Sequence, residues 1–209
     1  MNIKFLSLLT ILLFFVSATS NADGLLHEKL KQSRKNGYKT GFANEYRSGF
    51  DNQVMLNQVR SAFLESKFDS VTKNDWDMLS IYSKVNKYQG KRLRYSCYVK
   101  TENVQEKALL WFRIDGNLQR LSSNRTTTLN FNPATLAFDN MKNRPIIGTT
   151  NWTKHSIALD VAEEAYFMHF GMLLIGRGKV WINDCKVEIV GKDIPVTDMY
   201  PEMIADKNK

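Results

Sequence analysis

ALLWFRIDG, residues 108–116, is the stretch from which the fold reads most directly. Its side chains alternate in character. Ala108, Leu110, Phe112 and Ile114 share one face of an extended chain, and Leu109, Trp111, Arg113 and Asp115 share the other; Gly116 and Asn117 end the run. The same period of two continues upstream in residues 92–100, where Leu93, Tyr95, Cys97 and Val99 oppose Arg92, Arg94, Ser96, Tyr98 and Lys100. Further extended runs are predicted at 76–85, 126–131, 136–138, 156–161, 167–174 and 179–190, separated by clusters of Asn, Asp, Gly and Pro. Gly37, Gly41 and Gly49, interleaved with Tyr38, Phe42, Tyr46 and Phe50, predict turns and short extended pieces. Residues 53–65 read two ways: Met55, Val59, Ala62 and Phe63 fit a helical stripe, while Ala62 and Leu64 fit the opening of a strand. Many short strands with turn punctuation and no long helix predict an all-β sandwich. No period of 20–50 residues repeats, which argues against solenoids and propellers.

The amino terminus has a different character. Lys4 is followed by an almost unbroken apolar run from Phe5 to Val16 and a small or polar stretch from Ser17 to Ala22. That is the pattern of an export signal, residues 1–22, and the apolar run is well short of the ~20 residues a membrane-spanning helix needs. Residues 23–36, with Leu25, Leu26 and Leu30 among basic side chains, predict a short helical leader.

The 209 residues are 43% hydrophobic and 11% aromatic, enough apolar surface for a core. Removing the signal removes only Lys4 from the charge count, leaving 28 basic against 21 acidic residues and a net charge near +7. The densest positive stretch contains Lys84, Lys87, Lys91, Arg92, Arg94 and Lys100 with no acid among them. It reads either as a solvated outer face or as a basic edge, around Arg92, Arg94 and Lys100, for an acidic partner or surface. An exported protein meets little nucleic acid, so that partner is not expected. Cys97 and Cys185 are the only cysteines, and each lies on the apolar face of a predicted strand. In an oxidising compartment they bridge if their strands are neighbours and otherwise remain two buried thiols.

Four blocks taken together carry a resemblance: YQGKRLRYSCYVKTENV from Tyr88, ALLWFRIDG from Ala108, LAFDNMKNRPIIGTTNW from Leu136 and GRGKVWINDCKVEIVGKDIPVTD from Gly176. They resemble a bacterial jelly-roll domain of the galactose-binding-like class, found carboxy-terminal to a helix-turn-helix in transcription regulators and also in stand-alone or exported proteins. The resemblance implies a jelly-roll β-sandwich over residues 37–198, followed by a tail at 199–209. It makes the strand holding Cys97 a neighbour of the last strand, which favours the bridge. An export signal stands where the regulators carry their DNA-binding unit, so gene regulation does not transfer. The fold itself hosts many unrelated roles.

The jelly roll also implies a concave sheet, and on it Trp111, Arg113 and Asp115 form a candidate ligand-binding set. Trp111 would supply a flat apolar ring, Arg113 a planar donor fork and Asp115 an acceptor for hydroxyls. The alternative places Trp111 in the interior with Arg113 and Asp115 paired at its edge. Asp139, Asn140 and Arg144 sit in a Pro-stiffened segment that would rim a pocket, or would form a turn held by side chains on backbone groups. Asp184 lies where carbohydrate-binding jelly rolls place a carboxylate on a structural calcium, although one carboxylate is far from six to eight oxygen ligands. No cofactor is otherwise expected, and His27, His155 and His169 show no zinc spacing. The chain has no G-x-S-x-G elbow, P-loop or dinucleotide fingerprint. An Asp115–Asp139 pair for glycosidic acid/base work needs a particular separation. The leading expectation is an exported, non-catalytic module for a small or carbohydrate-like ligand; an interaction protein using the basic edge comes second, and a glycoside-acting enzyme third. The sequons at Asn124 and Asn151 are read as incidental.

Overall fold

The computed structural model describes residues 45–67, 71–116 and 135–207. The signal, the leader and the strand expected at 126–131 fall outside these residues. Among the described residues eight strands are formed: β1 (Tyr46–Leu56), β2 (Val59–Ser66), β3 (Trp76–Lys84), β4 (Arg92–Gly116), β5 (Thr135–Asp139), β6 (Ile146–Asp160), β7 (Ala165–Ile175) and β8 (Lys179–Val190). A single α-helix among the described residues, α1 (Tyr200–Lys207), closes them. All pairings are antiparallel.

β4 organises the molecule because its two halves belong to different layers. Residues 92–102 pair with β8 on one side and residues 92–108 with β6 on the other, while residues 107–116 pair with β7 and, at their far end, with β5. Reading outward gives a first sheet β1–β2–β8–β4–β6 and a second sheet β3–β7–β4–β5. Apart from β1, this interleaving of two four-stranded layers is the strand order of a jelly roll. The crossing lies between Thr101 and Ala108, where the register with β6 shifts three times in the vicinity and Asn103 has φ 51°. Such irregularities let a strand bend from one sheet into the other. Gly178, at φ 134°, passes over this corner so closely that a Cβ would meet the Val104 Cα at 2.6 Å.

The core lies between the layers. Leu93, Tyr95, Cys97 and Val99 from the first half of β4 and Ala108, Leu110, Phe112 and Ile114 from the second are all buried. These are the faces the alternation predicts. Tyr95, fully enclosed, packs its ring 5.1 Å from Phe170 and 6.0 Å from Phe112 and donates its hydroxyl to the Gly171 carbonyl of β7, tying one sheet to the other. Burial pushes the Tyr95 phenol far above its ordinary range. Cys97 and Cys185 are bridged, so β4 and β8 are covalently joined.

Residues 53–65 resolve as strand. β1 and β2 form a hairpin whose turn residues, Asn57 at φ 48° and Gln58 at φ 65°, both have left-handed backbones, as a type I′ turn requires. The chain beyond residue 198 docks: Met199 is buried and its amide donates to the Phe138 carbonyl at 2.7 Å, while Asp198 accepts from the Phe138 amide at 2.9 Å.

Candidate functional site

The six expected ligand-binding residues divide between two places. In the β4–β5 register Phe112 lies opposite Asp139 and Arg113 opposite Phe138, so Asp139 faces the interior with Phe112, while Trp111, Arg113 and Asp115 face outward from the second sheet. Asp139 is fully buried, and both its oxygens are engaged: Arg144 lays its guanidinium across them and the Met141 amide donates to Oδ1 at 2.7 Å. Asn140 accepts from the Lys142 amide at 3.2 Å, and the Arg144 amide donates to the Met141 carbonyl. Met141 takes φ 56° and is itself buried. This is a side-chain-stabilised turn joining β5 to β6, as the second reading of the segment has it. Because Asp115 and Asp139 lie on opposite faces of one sheet, they do not flank a common bond, and this geometry excludes them as a glycosidic acid/base pair.

The outward face of the second sheet gathers residues from three more strands. Register places Phe138, Arg113, His169 and Tyr82 in one row across β5, β4, β7 and β3; Trp111, Gly171 and Ser80 form the next, and Asp115, Phe167 and Lys84 another. Asp115 is 3% exposed and accepts from Arg113 Nε at 2.9 Å, from Arg113 Nη2 at 2.8 Å and from Thr135 Oγ1 at 3.1 Å. His169 Nε2 lies 3.4 Å from the same carboxylate. Desolvation and the neighbouring Arg113 hold His169 below its usual range, against the opposing pull of Asp115. Its ring is therefore neutral at pH 7.

Two expectations for this face change. Trp111 is only 7% exposed and does not offer an open stacking platform. Its indole Nε1 is buried without a hydrogen-bond partner among the described residues, a costly state for a donor. The Asp115 oxygens are already occupied by protein donors, so this carboxylate positions Arg113 rather than meeting a ligand directly. The exposed ring is Tyr82, 58% accessible, with Phe167 edge-on at 6.3 Å and His169 at 6.1 Å. Tyr82, Phe167 and His169 were not in the expected set, because β3 and β7 reach this face only through non-local pairing. Period-two alternation within 76–85 and 167–174 was the available signal.

On the first sheet, the basic edge is largely spent. Arg92 forks onto Asp160, at 2.8 and 2.9 Å, and donates to the carbonyls of Lys192 and Ile194. Arg94 pairs with Glu188 at 3.0 Å. Both guanidiniums are paired with carboxylates of their own sheet, which favours the solvated outer face over a docking edge for these two residues. Asp184 sits at a bulge with φ 45° and pairs with Lys186 Nζ at 2.8 Å, so a cation partner from the chain already occupies it. Among the described residues no group of three or more His, Cys, Asp or Glu is placed to hold a metal ion. Elsewhere on this sheet Asp51 accepts from Trp181 Nε1 at 2.9 Å, and Lys179 Nζ lies over the Trp181 and Phe63 rings at 4.5 and 4.8 Å. This cluster is closed by its own members.

No family model matches the chain. It is 34% identical over 155 residues to an uncharacterized helix-turn-helix-type transcriptional regulator, YbfP, of Bacillus subtilis (strain 168). The match takes in 74% of this chain and 48% of the regulator, so the chain spans about half the length of this curated relative. This similarity and the jelly-roll strand order are the two features that the quoted sequence blocks imply. Among solved structures, the family 30 carbohydrate-binding module of the cellulosomal cellulase Cel9D-Cel44B of Clostridium thermocellum is 14% identical, covering 75% of this chain and 92% of the module, with TM-score 0.47. The CBM22-1 xylan-binding domain of Paenibacillus barcinonensis Xyn10C is 11% identical, covering 73% and 85%, with TM-score 0.46. At these scores no ligand is carried over from either structure.

Proposed function

We propose that the chain is an exported, non-catalytic binding module that takes a small or carbohydrate-like ligand on the outward face of its second sheet. The observation that carries this reading is the exposed Tyr82 ring standing in one row with His169 and the Asp115-anchored guanidinium of Arg113. A sugar ring presents an apolar CH face to an aromatic platform and hydroxyls to the polar groups around it. Trp111 packs beneath this face, with its indole buried. Asp115 holds Arg113 in place, and Asp139, Asn140 and Arg144 brace the β5–β6 turn beside the face. Export is supported by the signal-like residues 1–22 and by the Cys97–Cys185 bridge, which suits an oxidising compartment.

Thermal-shift screening of the full chain against neutral and acidic oligosaccharides, repeated with Tyr82→Ala, tests the proposal. At least one saccharide should raise the midpoint of the wild type, and the variant should lose that response while unfolding at nearly the same temperature without ligand. A wild type unmoved by every saccharide, or a variant that responds equally, would refute it.

A further inference from the structure

Hydrogen-bond polarity and charge on this face narrow the ligand class, an inference that rests on the binding role proposed above. The Asp115 oxygens accept from Arg113 and Thr135 and the residue is 3% exposed, so the carboxylate has little accepting capacity left for a ligand hydroxyl. The donors are less fully used. Arg113 engages Asp115 through Nε and Nη2, leaving Nη1 outside that ion pair. The Arg113 side chain is 27% exposed.

The charges point the same way. Register puts Lys107 on this face beside Ile175 and Trp76, and Lys84 beside Phe167, in addition to Arg113. Asp115 is the one carboxylate that these rows place on the face among the described residues, and it is neutralised by Arg113. His169, held below its usual range by burial and Arg113, adds no cation to this count. The face therefore offers unmatched donors and a surplus of cations. A neutral sugar hydroxyl both donates and accepts, whereas a carboxylate or sulfate only accepts and carries the counter-charge that the rows do not set opposite Lys84 and Lys107. We propose that the ligand is an anionic saccharide whose carboxylate or sulfate is received by Arg113 Nη1, with Lys84 on the neighbouring row and Tyr82 beneath an adjoining ring.

Isothermal titration of the full chain with trigalacturonic acid, its fully methyl-esterified form and a sulfated galactan oligosaccharide tests the inference. The first two share a backbone and differ in charge; the third separates sulfate from carboxylate. At least one anionic ligand should bind tenfold or more tighter than the ester, and raising the salt concentration should reduce that preference. Arg113→Gln should bring acid and ester to within about twofold of each other. Because that change strands Asp115, Lys84→Gln serves as a second variant that removes a neighbouring cation and leaves the Arg113–Asp115 pair intact; it should cost the anionic ligand about threefold and the ester little. Ester binding equal to or tighter than both anions would overturn the anionic assignment and leave the binding role standing. Binding of none of the three, together with a thermal screen in which no saccharide shifts the protein, would overturn both.

Discussion

Asp51 shows how a single side chain holds an irregular piece of this molecule. β1 loses register between Asp51 and Met55, and the Asp51 carboxylate collects the amides of Gln53 and Val54, the Trp181 indole and Lys179 Nζ. Burial alone would raise its pKa, but these donors outweigh burial and hold it at about 2 against an ordinary 3.8. A carboxyl depressed in the folded state contributes stability that is complete above its unfolded pKa and disappears as pH falls through the folded value. The contribution is on the order of 2 kcal/mol, present above pH 4 and lost towards pH 2. Asp51→Asn should therefore be less stable near neutrality, and its chemical-denaturation stability should fall less steeply between pH 4 and pH 2 than that of the wild type. Asp139 belongs to a different class, since it is fully buried and bound by a guanidinium and an amide. Asp139→Ala leaves Arg144 without its counter-charge and the turn without its acceptor, and should cost about 3 kcal/mol in urea unfolding.

At the scale of elements, what could be read from the sequence depended on whether burial or pairing holds the strand. The alternation in 92–100 and 108–115 is legible because one face is sealed in the core. The polar residues between them, Glu102, Asn103 and Gln105, break the pattern, and only the pairing of β4 with both sheets shows a continuous strand. β6 was expected from residue 156 but begins at Ile146; its first ten residues are mostly exposed or half-exposed and are held by hydrogen bonding to β4 rather than by an apolar face. The β1–β2 turn was hidden because Asn57–Gln58 lacks the glycine usual at its second position. Gln58→Gly should thus stabilise the protein by about 0.5–1 kcal/mol, read as a raised denaturation midpoint with an unchanged slope. The bridge between β4 and β8 spans a sequence separation of 88 residues. Chain-entropy arguments give a closed loop of that length about 4.6 kcal/mol. Reduction, or a Cys97→Ala/Cys185→Ala double variant, should lower the melting temperature by roughly 10 °C.

For the molecule as a whole, β4 produces two outward faces of different character. On the first sheet, the Arg92, Arg94 and Asp51 clusters close on themselves. On the second, an exposed tyrosine, a partly exposed guanidinium and an unpartnered indole N–H remain. Period two was enough to place Trp111, Arg113 and Asp115 together, since co-facial placement is a local property of a strand. Their burial and their neighbours Tyr82 and His169 were not legible, because both depend on which distant strands pair with β4. Two of the four indoles also give the molecule an internal reporter: Trp181 Nε1 is hydrogen-bonded to Asp51 on the first sheet, and Trp111 Nε1 is without a partner among the described residues on the second. The most direct test is therefore a ¹⁵N–¹H titration of the full chain with the saccharide giving the largest thermal shift, following the indole resonances. Binding on the second sheet predicts that the Trp111 resonance moves progressively while that of Trp181 stays in place. A shift of Trp181 with Trp111 unmoved would put the ligand on the other face and contradict the account.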